Sequence, residues 1–335
     1  MKKRLLVFVV LLLISVLAIG CGGTDAEEPG KEPSDNGQVD KQLKVAMITE
    51  GSVNDGGWNA SALSGLEQIE EIYGAEISYS EQVAPASMAQ VIRTYAREGY
   101  DIIYGHGFQF DEPMKEVSPE FPDTTFITVN GTSAGGNLYS TGFLFGELGY
   151  FTGMVAGLMT ETNKVGVVAA MEAPTVVADV DTFKEGVEKV NPGTNVAVSY
   201  IGSWNDIPKA KEAALAQLAD GADVLLVMGN SFSVGVFQAA EEADALAMGW
   251  VSDQNFMAPD TIITSGLQSV EALYLEMTDV VLGNGEAKRY VYGMAEDAQS
   301  IAPFIDKVPQ EVVDEVEQAV QSYLDGDLIL NIPNL

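Results

Sequence analysis

The sequence predicts an α/β protein with two similar Rossmann-like lobes, each a parallel sheet covered by helices, and a ligand cleft between them. Three observations carry this. From Leu43 onward, short apolar runs alternate with stretches of helical spacing, the rhythm of a parallel sheet with crossover helices. The rhythm restarts after a glycine-bearing helix near the middle of the chain. The loops after the strands are rich in Gly, Asn, Asp and aromatic residues, and in open parallel sheets ligands bind outside those strand ends.

The chain opens on an address. Lys2, Lys3 and Arg4 precede an apolar run from Leu5 to Ile19, the pattern of a secretory signal over residues 1–20. Leu17-Ala18-Ile19-Gly20 then leads into Cys21, the sole cysteine. Residues 21–42 are polar, acidic and rich in Pro and Gly, a composition that cannot offset the entropy of ordering. They read as a flexible tether.

The elements follow in order. Leu43 to Ile48 is a strand, Ala60 to Tyr73 a helix with Leu63, Leu66, Ile69 and Ile72 on one face, and Ala75 to Tyr79 a strand. Met88 to Glu98 is a helix stopped by Gly99, and Asp101 to Tyr104 a strand. A helix near 113–121 precedes a strand at Thr125 to Val129. Gly146 to Met159 is the central helix, with Gly149, Gly153 and Gly157 on one stripe that implies close packing. Strands at 164–170, 195–200, 222–228, 247–251 and 261–265 then alternate with helices at 177–190, 207–220 and 234–243, before a last helix at 270–282. The expected lobes are 43–140 with 254–286, and 141–253 with 287–335, with hinges near 136–146, 253–258 and 283–291.

Composition excludes several functions. The 335 residues carry 49 acids against 17 bases, a net charge of -32. Loss of residues 1–20 removes three bases and no acid, leaving -35. Such a surface offers no footprint for nucleic acid. One Cys and one His preclude an intrachain disulfide framework and a Cys/His zinc site. His106 stands between glycines and reads as a loop residue. No phosphate loop of the GxxxxGK type is present, and no cofactor is expected.

Five strand-end loops hold the candidate site: Gly51 to Asn59, Gly105 to Phe108, Gly202 to Asp206, Gly229 to Phe232, and Ser252 to Asn255. Aromatic faces with Asn and Asp beside them suit a flat ring with polar edges, because stacking and bidentate hydrogen bonds read such a ring. Local roles compete. Asn54 or Asp55 can cap the following helix, Trp58, Trp204 and Phe108 can serve packing, and Asp253 can be a turn residue.

NDGGWN (Asn54 to Asn59), ELGYFTGMVAGLM (Glu147 to Met159), GSWND (Gly202 to Asp206), GADVLL (Gly221 to Leu226) and SDQN (Ser252 to Asn255), in this order, resemble the basic membrane protein family of lipoproteins, a branch of the type I periplasmic binding proteins. The segment before Cys21 resembles a lipobox. These resemblances imply cleavage before Cys21, acylation of its thiol, anchoring on the outer face of a bacterial cell membrane, and delivery of a purine nucleoside or base to an ABC permease. A plain secretory signal is the alternative for the first segment. By resemblance Trp58 stacks on the ring and Asn54 and Asp55 bond it. Phe232 offers the opposing face, with Asn230 in the same loop, and Asp253 holds ribose hydroxyls. Phe108 and Trp204 line neighbouring loops. The chain departs from the nucleoside binders at Gln268, where they carry Lys, which leaves a base without ribose open. A sugar receptor or sensor is the rival within the binding class, and a nucleoside-cleaving enzyme the rival outside it.

Overall fold

The computed structural model describes residues 41–229 and 231–332. The expected signal segment, Cys21, nearly all of the tether, and Asn230 lie outside the described residues. Along the chain come β1 (Lys44–Thr49), α1 (Trp58–Tyr73), β2 (Glu76–Ser80), α2 (Met88–Arg97), β3 (Ile102–His106), α3 (Asp111–Val117), β4 (Thr125–Val129) and β5 (Leu138–Phe143). Then follow α4 (Glu147–Met159), β6 (Lys164–Ala169), α5 (Pro174–Val190), β7 (Asn195–Tyr200), α6 (Ile207–Ala219), β8 (Val224–Met228), α7 (Ser233–Glu242) and β9 (Leu246–Val251). Last come β10 (Ile262–Gln268), α8 (Val270–Leu282), β11 (Arg289–Tyr292), β12 (Gln299–Ile301) and α9 (Gln310–Leu324).

Two six-stranded sheets result, ordered β11-β5-β4-β3-β1-β2 and β12-β10-β9-β8-β6-β7. All pairings are parallel except β10 with β12. Central strands such as β1 and β8 are buried on both faces, whereas the edges β2 and β7 are half-exposed. This is why the central strands read as continuous apolar runs. Each sheet has a core on either side. One face of the first sheet packs on α1 and α8 through Leu66, Ile69, Leu273 and Met277, and the other on α2 and α3 through Ile92 and Met114. The second sheet is covered by α4, α5 and α9 on one face and by α6 and α7 on the other.

The chain crosses between lobes three times: at residues 144–146, between Gln268 and Ser269, and at Gly293. This corrects the expected lobe boundaries. β5 lies wholly in the first sheet, so the first crossing follows it. β10, expected in the first lobe, pairs with β9 and β12 and belongs to the second sheet. β11, expected in the second lobe, pairs with β5 in the first. The expected hinges at 253–258 and 283–291 therefore move to 268–269 and 293. Sequence reading placed no element at β5, β11, β12 or α9. β5 reads LYSTGF, β11 has four residues and β12 three, too little apolar pattern to signal a strand.

α4 is buried on nearly every side from Glu147 to Gly157, as expected of a helix sealed inside a lobe. Its glycine stripe faces α5. A methyl at Gly149 would overlap the Asp179 carbonyl, and one at Gly153 the Phe183 carbonyl. Gly186 of α5 makes the reciprocal approach to the Tyr150 carbonyl. The three crossings are also tied together. Gln299 Nε2 donates to the Leu144 carbonyl at 3.0 Å and to Glu147 Oε2 at 2.6 Å, and Gln268 Nε2 donates to Gln299 Oε1 at 3.2 Å. Met294 N–H and Tyr323 O–H complete the Glu147 carboxylate at 2.9 and 2.7 Å. Buried polar groups of this density are costly unless satisfied, and here each side chain has its partner.

Candidate functional site

A cleft of about 420 Å³ opens between the lobes, at the carboxyl ends of both sets of strands. The volume suits a small molecule. The first lobe contributes Trp58, Asn59, Phe108, Gln109 and Asn130, and the second contributes Asp179, Trp204, Asn205 and Trp250. Phe145 and Gln268 line it from the crossings. All three tryptophans of the chain line this one space. Among the described residues no Lys or Arg lines it, and its carboxylates are Glu50 and Asp179. The lobes also touch where Ser252 Oγ lies 3.4 Å from the Gly56 carbonyl.

Trp58 opens α1 and packs against the cores of both lobes. Asp55 makes this placement possible. Its carboxylate accepts the N–H groups of Gly57, Asn59 and Ala60 at 3.0, 3.1 and 3.0 Å, satisfying the orphan donors of the first turn. It also accepts Asn59 Nδ2 at 2.7 Å. The Asx cap thus fixes both the tryptophan and the amide that follows it. Asn59 Oδ1 is left unengaged among the described residues. Asn130 lines the cleft from the end of β4. It sits in the left-handed region at φ 59°, which Asn tolerates, and its buried Oδ1 has no partner among the described residues.

Beneath Trp58 lies His106, fully buried and stacked on the indole with centroids 4.2 Å apart and planes at 25°. Burial holds the imidazole down to about 3, so it is neutral at physiological pH. The loop residue expected here is instead the last position of β3.

Asp179, on α5, lines the cleft and accepts the Gly146 N–H at 2.7 Å, at the first crossing. Burial pushes its carboxyl up to about 7. The folded protein then keeps this proton up to about pH 7, whereas the unfolded chain releases it near 3.8. This contribution to stability is therefore fully present below 3.8 and is lost as pH rises through about 7. Asp179→Asn keeps an acceptor for Gly146 without the ionisation. Its stability relative to wild type should rise between pH 5 and pH 8, with a slope up to about 1.4 kcal/mol per pH unit. Urea unfolding at both pH values checks this, and equal differences at the two would refute the buried carboxyl.

Val251 ends β9 in the cleft at φ 73°, a strained conformation for a β-branched residue. Gln254 holds this turn. Its Oε1 accepts the Trp250 N–H at 3.1 Å and its own N–H donates to Ser265 Oγ at 3.2 Å.

Of the residues singled out in sequence, Trp58, Phe108 and Trp204 line the cleft. Asn54 is exposed and outside it, and Asp55 is spent on the helix cap. Phe232 is fully buried in the core beside Ile201 and Val227, directly beneath Gly229, and faces no ligand space. Asp253 is exposed and accepts the Asn255 N–H at 3.1 Å, closing its own turn. Asn59, Gln109, Asn130, Asp179 and Trp250 went unread. Asn205 belongs with them, and it and Asn59 each lie inside a quoted motif, one residue beyond a tryptophan.

Comparison with known proteins gives a family. The family model described as ABC transporter substrate-binding protein PnrA-like matches residues 42–331. The transcriptional activator protein med of Bacillus subtilis is 28% identical over 323 residues, 96% of each chain. A purine-binding protein of Brucella abortus is 28% identical over 294 residues, 87% of this chain and 83% of its own. Among solved structures, an ABC transporter system solute-binding protein from Conexibacter woesei superposes with a TM-score of 0.71 at 28% identity, covering 87% of this chain and 99% of that one.

Proposed function

Because the chain belongs to the family of PnrA-like ABC transporter substrate-binding proteins, we propose that it captures an uncharged purine, as base or nucleoside, in the interlobe cleft and presents it to an ABC permease. The supporting observation is the cleft lining. Three tryptophans and Phe108 surround a space that the amide side chains of Asn59 and Asn130 also line. A purine offers flat faces to the rings and N–H donors to the amides. Unpaired amides in a closed cleft penalise ligands that lack those donors. Among the described residues no cation lines the wall, and Glu50 adds a carboxylate, so the lining offers no charge partner for a phosphate. The purine-binding relative from Brucella abortus supports the same class.

In this reading Trp58 is the stacking face, Asn59 and Asn130 read the edge, and Phe108 and Trp204 close the sides. Nothing is turned over. Binding shifts the lobes toward the closed arrangement about the three crossings. Lipidation at Cys21 holds the protein on the outer face of the cell membrane. Among the described residues no helix is long and apolar enough to cross a membrane.

A thermal-shift panel tests the ligand. A compound at 100 times its Kd stabilises the native state by about 2.7 kcal/mol. Purine bases or nucleosides should shift the transition, and their 5′-monophosphates should shift it far less. A shift with nucleosides and none with bases assigns a ribose subsite, and equal shifts assign base recognition alone. Stabilisation by sugars with silence from every purine refutes the assignment.

A further inference from the structure

His106 is the only histidine of the chain, and it makes contact on three sides. Its ring stacks under Trp58. Its Nε2 lies 3.0 Å from the Trp58 carbonyl oxygen and its Nδ1 3.2 Å from the Tyr274 hydroxyl. A carbonyl oxygen can only accept, so Nε2 carries the proton of the neutral ring. Nδ1 is then the acceptor, and the Tyr274 O–H donates to it. One tautomer satisfies both partners. Tyr274 in turn stacks on Tyr104 at 4.3 Å and 14°, and the Tyr104 O–H donates to the Tyr274 carbonyl at 2.9 Å. Tyr274 is on α8, the first helix after the second crossing.

We infer that His106 is a positioning residue for ligand capture: as the Nε2–H tautomer it fixes Trp58 by ring and by main chain, leaving a planar ligand only the opposite face of the indole. A stacked ring alone would let the indole slide, and a hydrogen bond alone would let it rotate about χ1 and χ2. The two together define its plane. The column Trp58–His106–Tyr274–Tyr104 also joins α1, β3 and α8, so the ligand seat is built on rigid elements rather than on the Gly51–Gly57 loop. The inference rests on the purine reading only for the identity of the ligand.

Nitrogen-15 spectra of the single histidine in the wild-type protein should show Nε2 protonated and Nδ1 bare. A Nδ1–H tautomer would overturn the inference before any variant is made. In protein labelled with 5-fluorotryptophan, three fluorine resonances report the three tryptophans, and Trp58→Phe assigns one of them. In His106→Gln and His106→Phe that resonance should broaden or split while the other two stay put. Affinity for adenine and for guanosine should fall roughly 2- to 12-fold, the equivalent of about 0.5–1.5 kcal/mol for an aromatic pair. His106→Phe retains the ring, so it should lose less than His106→Gln. An unchanged Trp58 line in His106→Gln overturns the inference, as does unchanged affinity. A disordered Trp58 line in a protein whose wild type binds no purine sustains the positioning role and removes the purine reading instead.

Discussion

Trp58→Ala should weaken purine binding by about 1–3 kcal/mol, roughly 5- to 150-fold, the value of one base–aromatic stack. The loss should fall mainly on the dissociation rate, because the mutation removes contact without altering the charge that steers encounter. Trp58 also packs against both lobe cores and meets Phe143 edge-on at 6.4 Å, so stability should drop with affinity. Trp58→Phe separates the two effects: it keeps a stacking face and much of the packing, and should recover most of the binding. Titration calorimetry on both variants checks this. Equal affinities for wild type and Trp58→Ala would move the ligand off this face.

Gly153→Ala should be among the most damaging single-methyl substitutions at the described residues, with Gly149→Ala and Gly186→Ala. The added Cβ meets the Phe183 carbonyl of α5, and both partners are main chain inside a sealed core, so no side chain can turn away. Overpacking of this kind costs about 1–3 kcal/mol or more, even though alanine is the better helix former by about 1 kcal/mol. Gly157→Ala is the internal comparison. There the nearest atom is Val190 Cγ2, at 2.6 Å, which can give by rotation, and the cost should be visibly smaller. Urea midpoints rank the two. A Gly153→Ala protein as stable as wild type would mean that α4 and α5 do not approach as described.

Much of this was legible in the sequence. Central strands such as VLLVM, and helices with clean spacing, carry their own signal, and so does the glycine stripe. The lobe boundaries did not, because they depend on which sheet takes a short strand. RYVY and QSI are assigned by their neighbours β5 and β10, far away in sequence. The site was half legible. Trp58, Phe108 and Trp204 announce themselves as aromatics in strand-end loops. Phe232 looks the same in sequence, yet Gly229 leaves a gap that its ring fills from below. In sequence Asp55 suits a ligand contact and a helix cap alike, and its carboxylate serves the cap, while Asp179 is hidden in an amphipathic helix. Polar residues in loops serve the backbone or the ligand, and only the hydrogen-bond inventory separates the two.

The threefold crossing has a consequence for how the chain acquires its structure during synthesis. The first sheet lacks its edge strand β11, and its core lacks Leu273, Tyr274 and Met277, until residue 292 has been made. The second lobe awaits α9, whose Val312 and Val316 close its core. Neither lobe is a contiguous segment, so neither can complete before nearly the whole polypeptide is available. Long-range pairings of this kind fold slowly, because loop closure precedes the contacts that reward it. A chain whose lobes both wait for its last helices stays extended for longer during synthesis, which is the form a narrow passage can thread.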